Sequence, residues 1–319
     1  MRARSLTFVA VAACLVLASC SSTDPAPPPP QSSGHTFEGT FGVQFGPRTT
    51  VQGKEVPDTA IAVTWVARSV CGDDGCVATA TELTPAKPGD PRPPKMVFDF
   101  IDGRWVSVRE VPSQCVTARG QTIDVQGWQA YSLEPRPDGT LVGRYTNRSS
   151  VGGACQSSSQ SVTVRRTGDA QSDVQVADPA AQPTRISSPG AALWGDYRQT
   201  QTNPQTGEVY PPATYGGNTQ CLRTVDRCLS YLVDPRTKAI LVLTFASGGW
   251  TSTSAPVDSP CPSGRPGSSV LSGEFDLPQP ASDPIPVLKG TQTTTRTGIC
   301  PGELTLDVKL QRTGDGAGR

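Results

Sequence analysis

One histidine serves the whole chain of 319 residues, and that shortage removes more chemistry than any other feature of the composition. It is His35, which sits at the end of a proline-rich stretch. Ser-His-Asp and Cys-His catalysis therefore lack a base in the body of the chain, and an imidazole metal site lacks ligands. Excess charge is missing as well: 28 basic residues stand against 28 acidic ones, with no run of either sign. The electrostatic footprint expected of a nucleic-acid-binding protein is thus absent, and no nucleic-acid partner is expected. Beyond Ala18 no apolar run approaches the length of about 20 residues that a spanning helix needs. The sequence contains no Gly-x-Ser-x-Gly elbow, no P-loop and no EF-hand calcium loop, and no cofactor is expected.

What is present begins with a leader. Arg2 and Arg4 give a positive start, and the segment from Leu6 to Ala18 is almost wholly apolar but too short to span a bilayer as a mature helix. Leu17, Ala18, Ser19 and Cys20 have the form of a bacterial lipobox, so residues 1–19 resemble the signal peptide of exported lipoproteins. That resemblance implies that Cys20 becomes the first mature residue and carries acyl chains. More than one chain makes anchoring to the membrane stable, and the expected location is the outer face of the cell membrane. Residues 20–36, with Pro27 to Pro30 at their centre, read as an acylated Pro/Ser-rich tether. The fifteen residues from Ser21 to His35, at ~3.1 Å each, hold the first module at most roughly 45 Å from the membrane.

The rest of the chain is a duplication. Phe37, Gly39 and Phe41 match Leu193, Gly195 and Tyr197; Trp105 matches Trp250; Cys115 and Cys155 match Cys261 and Cys300; Asp169 matches Asp315. From Trp105 onward these pairs keep an offset of 145 or 146 residues, a register that chance does not maintain. Two modules are expected, at 37–168 and 191–314, separated by a linker at 169–190 rich in small and polar residues and followed by a short tail at 315–319.

Inside each module the periodicity is two. Ile61, Val63, Trp65 and Ala67 alternate with polar or smaller neighbours, as do Met96, Phe98 and Phe100, while Leu304, Leu306, Val308 and Leu310 form one face of the last strand. Turn signals such as Gly72 to Gly75, Asp102-Gly103 and Pro137 to Gly139 punctuate these runs. The pattern predicts eight strands in the first module, at 37–45, 60–70, 76–83, 95–101, 104–111, 122–134, 139–148 and 159–167. The expected fold class is all-β: two tandem antiparallel modules of about eight strands, each a small closed or partly closed barrel that leaves no free edge. Arg166 and Arg312 occupy equivalent places near the last strand's end. A Gly-x-aromatic at the start and an arginine at the end resemble calycin barrels. The resemblance implies that each arginine packs across the first-strand aromatic, Phe41 or Tyr197, and closes one end.

Eight cysteines remain after Cys14 and Cys20 are assigned to the leader, and the repeat leaves three pairings per module. Cys71 and Cys76 flank a turn that can bring them to bonding distance, so local pairs Cys71 with Cys76 and Cys221 with Cys228 are the natural choice. Cys115 then joins Cys155, and Cys261 joins Cys300. A zinc site is the competing reading, although the distant cysteines do not form a second close pair. With the thiols paired or acylated, no cysteine nucleophile remains.

Other candidates are weaker. Asp73 and Asp74 read as turn formers, and Asp99, Asp102 and Glu134 as solvated carboxylates that a glycosidase-like site would otherwise pair. Trp65, Trp105, Trp128 and Trp250 either line a pocket or pack a core, and the repeat favours the core for Trp105 and Trp250. The paired cysteines, the Gly-Trp turns and the segment from Pro137 to Gly143 make the chain similar to envelope lipoproteins of actinobacteria, of mycobacterial type, and to extracellular modules of some bacterial serine/threonine kinases. The resemblance implies a non-catalytic binding or sensing role toward an apolar ligand, a lipid or an envelope protein. A carboxylate-dependent cell-wall hydrolase or lyase and a purely structural scaffold are the alternatives.

Overall fold

The computed structural model describes residues 36–57, 59–83, 94–116, 120–153, 157–261 and 263–316. Ten strands lie in the first module: β1 (Gly39–Phe45), β2 (Arg48–Thr50), β3 (Glu55–Val56), β4 (Ile61–Gly72), β5 (Gly75–Glu82), β6 (Lys95–Ile101), β7 (Arg104–Val116), β8 (Thr122–Pro135), β9 (Leu141–Ser149) and β10 (Ser158–Gly168). Consecutive strands from β4 to β10 pair antiparallel, and β1 pairs with both β4 and β10, which closes an eight-stranded barrel. The remaining two strands, β2 and β3, form a short hairpin attached to β10. Their lengths of three and two residues are too small for alternation to announce them.

The second module repeats this plan with β11 (Gly195–Thr202), β12 (Ala213–Cys221), β13 (Arg227–Val233), β14 (Ile240–Ala246), β15 (Gly249–Thr253), β16 (Val257–Asp258), β17 (Gly267–Asp276), β18 (Val287–Gly298) and β19 (Gly302–Gly314). Pairing of β11 with β19 and of β15 with β17 closes a second barrel, and β16 lies outside it on β17. Both barrels are closed, and both belong to one compact unit, Gly34–Arg319.

Side chains fill the interiors. In the first barrel Trp65, Phe98, Trp105 and Tyr131 are almost fully buried, and their rings meet at right angles or tilted, as with Trp65 and Tyr131 at 5.4 Å. The second barrel is filled mainly by aliphatic side chains around Tyr197, Phe275 and the Phe245–Trp250 pair, whose centroids are 4.7 Å apart. Each fully buried side chain of this size contributes about 1.5–3 kcal/mol relative to exposure. Phe37 and Leu193, equivalent in the repeat, are fully buried in their respective cores just before the first strand.

The Gly-x-aromatic motif has a backbone cause. Gly39 has φ +131° and Gly195 has φ +104°, values open to glycine and strained for other residues. A β-carbon at Gly39 would meet the Gly168 carbonyl at 2.6 Å and the Arg166 Nε at 2.7 Å, and one at Gly195 would meet Gly314 and Arg312 in the same way. A register shift follows at once in both modules, between Thr40 and Phe41 and between Asp196 and Tyr197. The two motifs are therefore the same closure: glycine lets the final arginine lie against the first strand.

Candidate functional site

Three disulfides lie among the described residues, at hairpin ends or in loops next to strands. Cys71 bonds Cys76 across the β4–β5 turn, Cys221 bonds Cys228 between β12 and β13, and Cys261 bonds Cys300 across 39 residues. Cys115 is also disulfide-bonded. Cys155, Cys20 and His35 lie outside the described residues, and with them the tether and the leader. At the barrel ends Phe41 is the register partner of Arg166, and Tyr197 that of Arg312. The guanidinium of Arg166 donates to the Glu38 carbonyl and to Asp169, and that of Arg312 to the Trp194 carbonyl and to Asp315. The ring that Arg312 stacks on, at 4.6 Å, is Trp194, one position before the glycine. Tyr197 is buried in the barrel, where its hydroxyl donates to the Ile285 carbonyl, and burial pushes its pKa up to about 12.

Among the described residues, two of the three candidate carboxylates, Asp99 and Glu134, are paired with arginines. Asp99 is the correction: it is buried, and not solvated as expected of a strand carboxylate, because Arg223 of the second module and Arg185 of the connecting segment reach it at 3.0 and 3.4 Å. Asp102 sits in the exposed turn after β6, and Glu134 pairs with Arg104 and Arg136. Asp73 and Asp74 occupy the exposed turn between the first two bonded cysteines. Among the described residues no group of three His, Cys, Asp or Glu side chains is placed to hold a metal ion.

A third cluster, outside both barrel cores, is what alternation alone does not reveal. Along β8, Tyr131 and Leu133 turn into the first barrel, and Trp128 turns out. Along β13, Cys228 and Leu232 point into the second barrel while Leu229 and Tyr231 point out, and on β14 Val242 points out between Leu241 and Leu243. The outward residues meet: Trp128, fully buried, packs with Leu229, Tyr231 and Val242. Polar contacts surround this apolar centre. Glu110 pairs with Arg227 at 3.2 Å, Gln220 donates to the Thr146 hydroxyl at 3.1 Å, and Gly152 exchanges backbone hydrogen bonds with Thr253 and Ala255. Burial raises the pKa of Glu110, against the opposing charge of Arg227.

Beside this junction lies an open cleft of about 760 Å³ whose walls come from both modules. From β9 it takes Arg144, Thr146 and Arg148, and from β12 and β13 it takes Asn218 and Tyr231. Arg148 lays its guanidinium over the Tyr231 ring at 4.6 Å and donates to the Asn218 side-chain oxygen at 3.0 Å. Burial, opposed by Tyr231 and reinforced by the like charge of Arg144, lowers its pKa to about 10. Serine and threonine hydroxyls supply much of the remaining wall, among them Thr49, Ser158, Ser159 and Thr214.

Residues 34–181 match the family model of the PknI serine/threonine-protein kinase sensor domain, a span that contains the first barrel. Among solved structures, the monomer form of the PknI sensor domain from M. tuberculosis is 24% identical with a TM-score of 0.36, covering 46% of this chain and 97% of that one. The dimer form of the same sensor domain is 22% identical with a TM-score of 0.33, covering 55% of this chain and all of that one. No curated protein matches the chain. The chain thus resembles, through its first module, the sensor modules of serine/threonine kinases.

Proposed function

We propose that this protein is a lipid-anchored component of the cell envelope, held by Cys20, whose two β modules act together as a non-catalytic binding or sensing unit. The observation that carries the reading is the match of residues 34–181 to a kinase sensor domain. Two features of the molecule support it. The barrel interiors are filled by their own side chains, which favours a ligand or envelope partner bound outside the barrels over a lipid carried within one. The cleft between the modules then offers the recognition surface, with polar groups from both.

The anchor and the ligand are tested together. Metabolic labelling with a palmitate analogue is expected to mark the wild-type protein and to leave Cys20→Ala unlabelled and released from the membrane. Native mass spectrometry of the labelled protein, extracted from its own envelope, is expected to show a retained small molecule or partner. Bare protein under mild extraction, with the cleft intact, would count against the binding role. It would favour a second reading, a structural scaffold, which draws its support from the same filled interiors.

A further inference from the structure

Arg148 presents an electrostatic problem that the protein alone leaves open. Its guanidinium lies in the junction, over an aromatic ring and against a neutral amide oxygen, with the positive Arg144 nearby on the same strand. Among the described residues, Asp99, Glu110, Glu134, Asp169 and Asp315 form ion pairs, and all of them go to other arginines. Arg148 is half-buried, and a partly desolvated cation without a carboxylate partner gains from an anion supplied from outside.

The cleft's remaining chemistry narrows the anion. Two carboxylates, Glu55 and Asp196, also line it. Glu55 is exposed, and Asp196 turns toward Gly216, two residues along β12 from Asn218 and so roughly 7 Å away by strand geometry. The anion therefore belongs at the Arg148 end. The forked guanidinium of Arg148 suits the oxygens of a phosphate, which accepts parallel N–H bonds, and Arg144, four residues along β9, adds positive charge at longer range. The cleft, at about 760 Å³, has room beyond one phosphate, and its hydroxyl-rich wall suits a polyol.

We propose that the cleft binds a phosphate group borne on a hydroxyl-rich carrier, a sugar or polyol phosphate, with Arg148, half-buried and held by both modules, as the direct contact and the exposed Arg144 as the outer, longer-range charge. The site rests on the reading of this protein as a binding or sensing unit. The carrier is either a soluble phosphorylated polyol or the headgroup of a phosphorylated lipid, and the recognition chemistry is common to both.

The test is calorimetric titration of detergent-solubilised full-length protein at fixed ionic strength. The probes are myo-inositol 1-phosphate, myo-inositol, inorganic phosphate and a short-chain phosphatidylinositol. Inositol phosphate is expected to bind at least about tenfold more tightly than either inositol or inorganic phosphate, since each of these offers half of the recognition. Arg144→Ala, at an exposed position, is expected to weaken binding about threefold or more with an unchanged melting temperature, and Arg144→Glu to abolish it. Arg148→Lys keeps the charge but loses the fork and is expected to cost about tenfold; if that variant does not fold, the two Arg144 variants decide. Tighter binding of the short-chain lipid than of inositol phosphate assigns a lipid headgroup, and the reverse assigns a soluble ligand; both support the site. Equal affinity for inositol and its phosphate, or phosphate binding indifferent to Arg144→Glu, overturns it. Retention of an unphosphorylated ligand from the native envelope, with every phosphate probe silent, also overturns it while leaving the sensing role intact. Silence in both arms overturns the two together.

Discussion

Replacing Trp128 by alanine should uncouple the two modules. The side chain is fully buried, yet it lies outside both barrel cores and touches Leu229, Tyr231 and Val242 of the other module. A buried tryptophan covers about 150–250 Å², which at about 25 cal/mol per Å² is worth some 4–6 kcal/mol as an upper bound. Measured truncations of buried aromatics cost about 3–5 kcal/mol, and that is the expected loss here. Part of the loss belongs to contacts within the first module, such as that with Val108. The part that crosses the junction is isolated by a double-mutant cycle with Leu229→Ala, for which a coupling of about 1–2 kcal/mol is expected.

The assay is urea unfolding with disulfides intact, followed by circular dichroism and by tryptophan fluorescence. Wild type is expected to unfold in one transition seen alike by both probes, and Trp128→Ala in two separated transitions as each barrel melts alone. A loss below about 1 kcal/mol, or a coupling with Leu229 indistinguishable from zero, would show that the Trp128 contact does not hold the modules together. Trp128→Phe retains part of the buried surface and should fall between the two.

Three further outcomes follow from single residues. Gly195→Ala is expected to cost about 2–3 kcal/mol in thermal or urea denaturation, because it adds a β-carbon at positive φ against the Gly314 carbonyl; a loss under about 0.5 kcal/mol would remove the closure argument. Tyr197→Phe should cost about 1 kcal/mol at neutral pH by leaving the Ile285 carbonyl without its donor. Because the folded pKa of Tyr197 is raised to about 12 from 10.0, its neutral form stabilises the fold below pH 10 and that contribution is lost toward pH 12. The variant should therefore show a flatter alkaline limb in melting temperature. Glu110, with a folded pKa raised above 4.5, contributes most below that pH and loses this contribution as pH rises through its raised value. Glu110→Gln should then gain stability relative to wild type as pH rises above 4.5, and a relative loss would show that the Arg227 pair outweighs burial.

The legible part of the sequence was the part governed by period and punctuation. Alternation along Ile61 to Ala67 and Met96 to Phe100, with turns at Gly72 to Gly75 and Asp102-Gly103, located β4, β5, β6 and β7 because inward and outward faces meet different solvents. The junction was not legible, since it required knowing what covers an outward face. One signal was present: Leu229 to Val233 and Ile240 to Leu243 are apolar at nearly every position, which is the mark of a strand buried on both sides. The burial of Asp99 was invisible for a related reason, because its partners Arg185 and Arg223 are about 90 and 120 residues away and no local rule joins them.

The duplication itself explains where a composite site arises. Residues that the modules share, Gly39 with Gly195, Trp105 with Trp250 and Arg166 with Arg312, serve the barrel interior or its closure, which each copy must solve alone. The bonded cysteines Cys76 and Cys228 set β5 of the first module against β13 of the second, and there the copies part. On β5, Thr79 and Thr81 donate to the carbonyls of Ala177 and Gln175, so the connecting segment covers that face. On β13, Leu229 and Tyr231 receive Trp128 instead. An apolar face of this kind would be an association hazard on a lone barrel, and it becomes a junction when the partner barrel is covalently attached. The cleft with Arg148 exists only because of that junction: its guanidinium comes from one module, and the ring and amide that hold it come from the other. A single barrel of this kind therefore supplies only part of the cleft's wall, and a ligand in the proposed site would contact both modules.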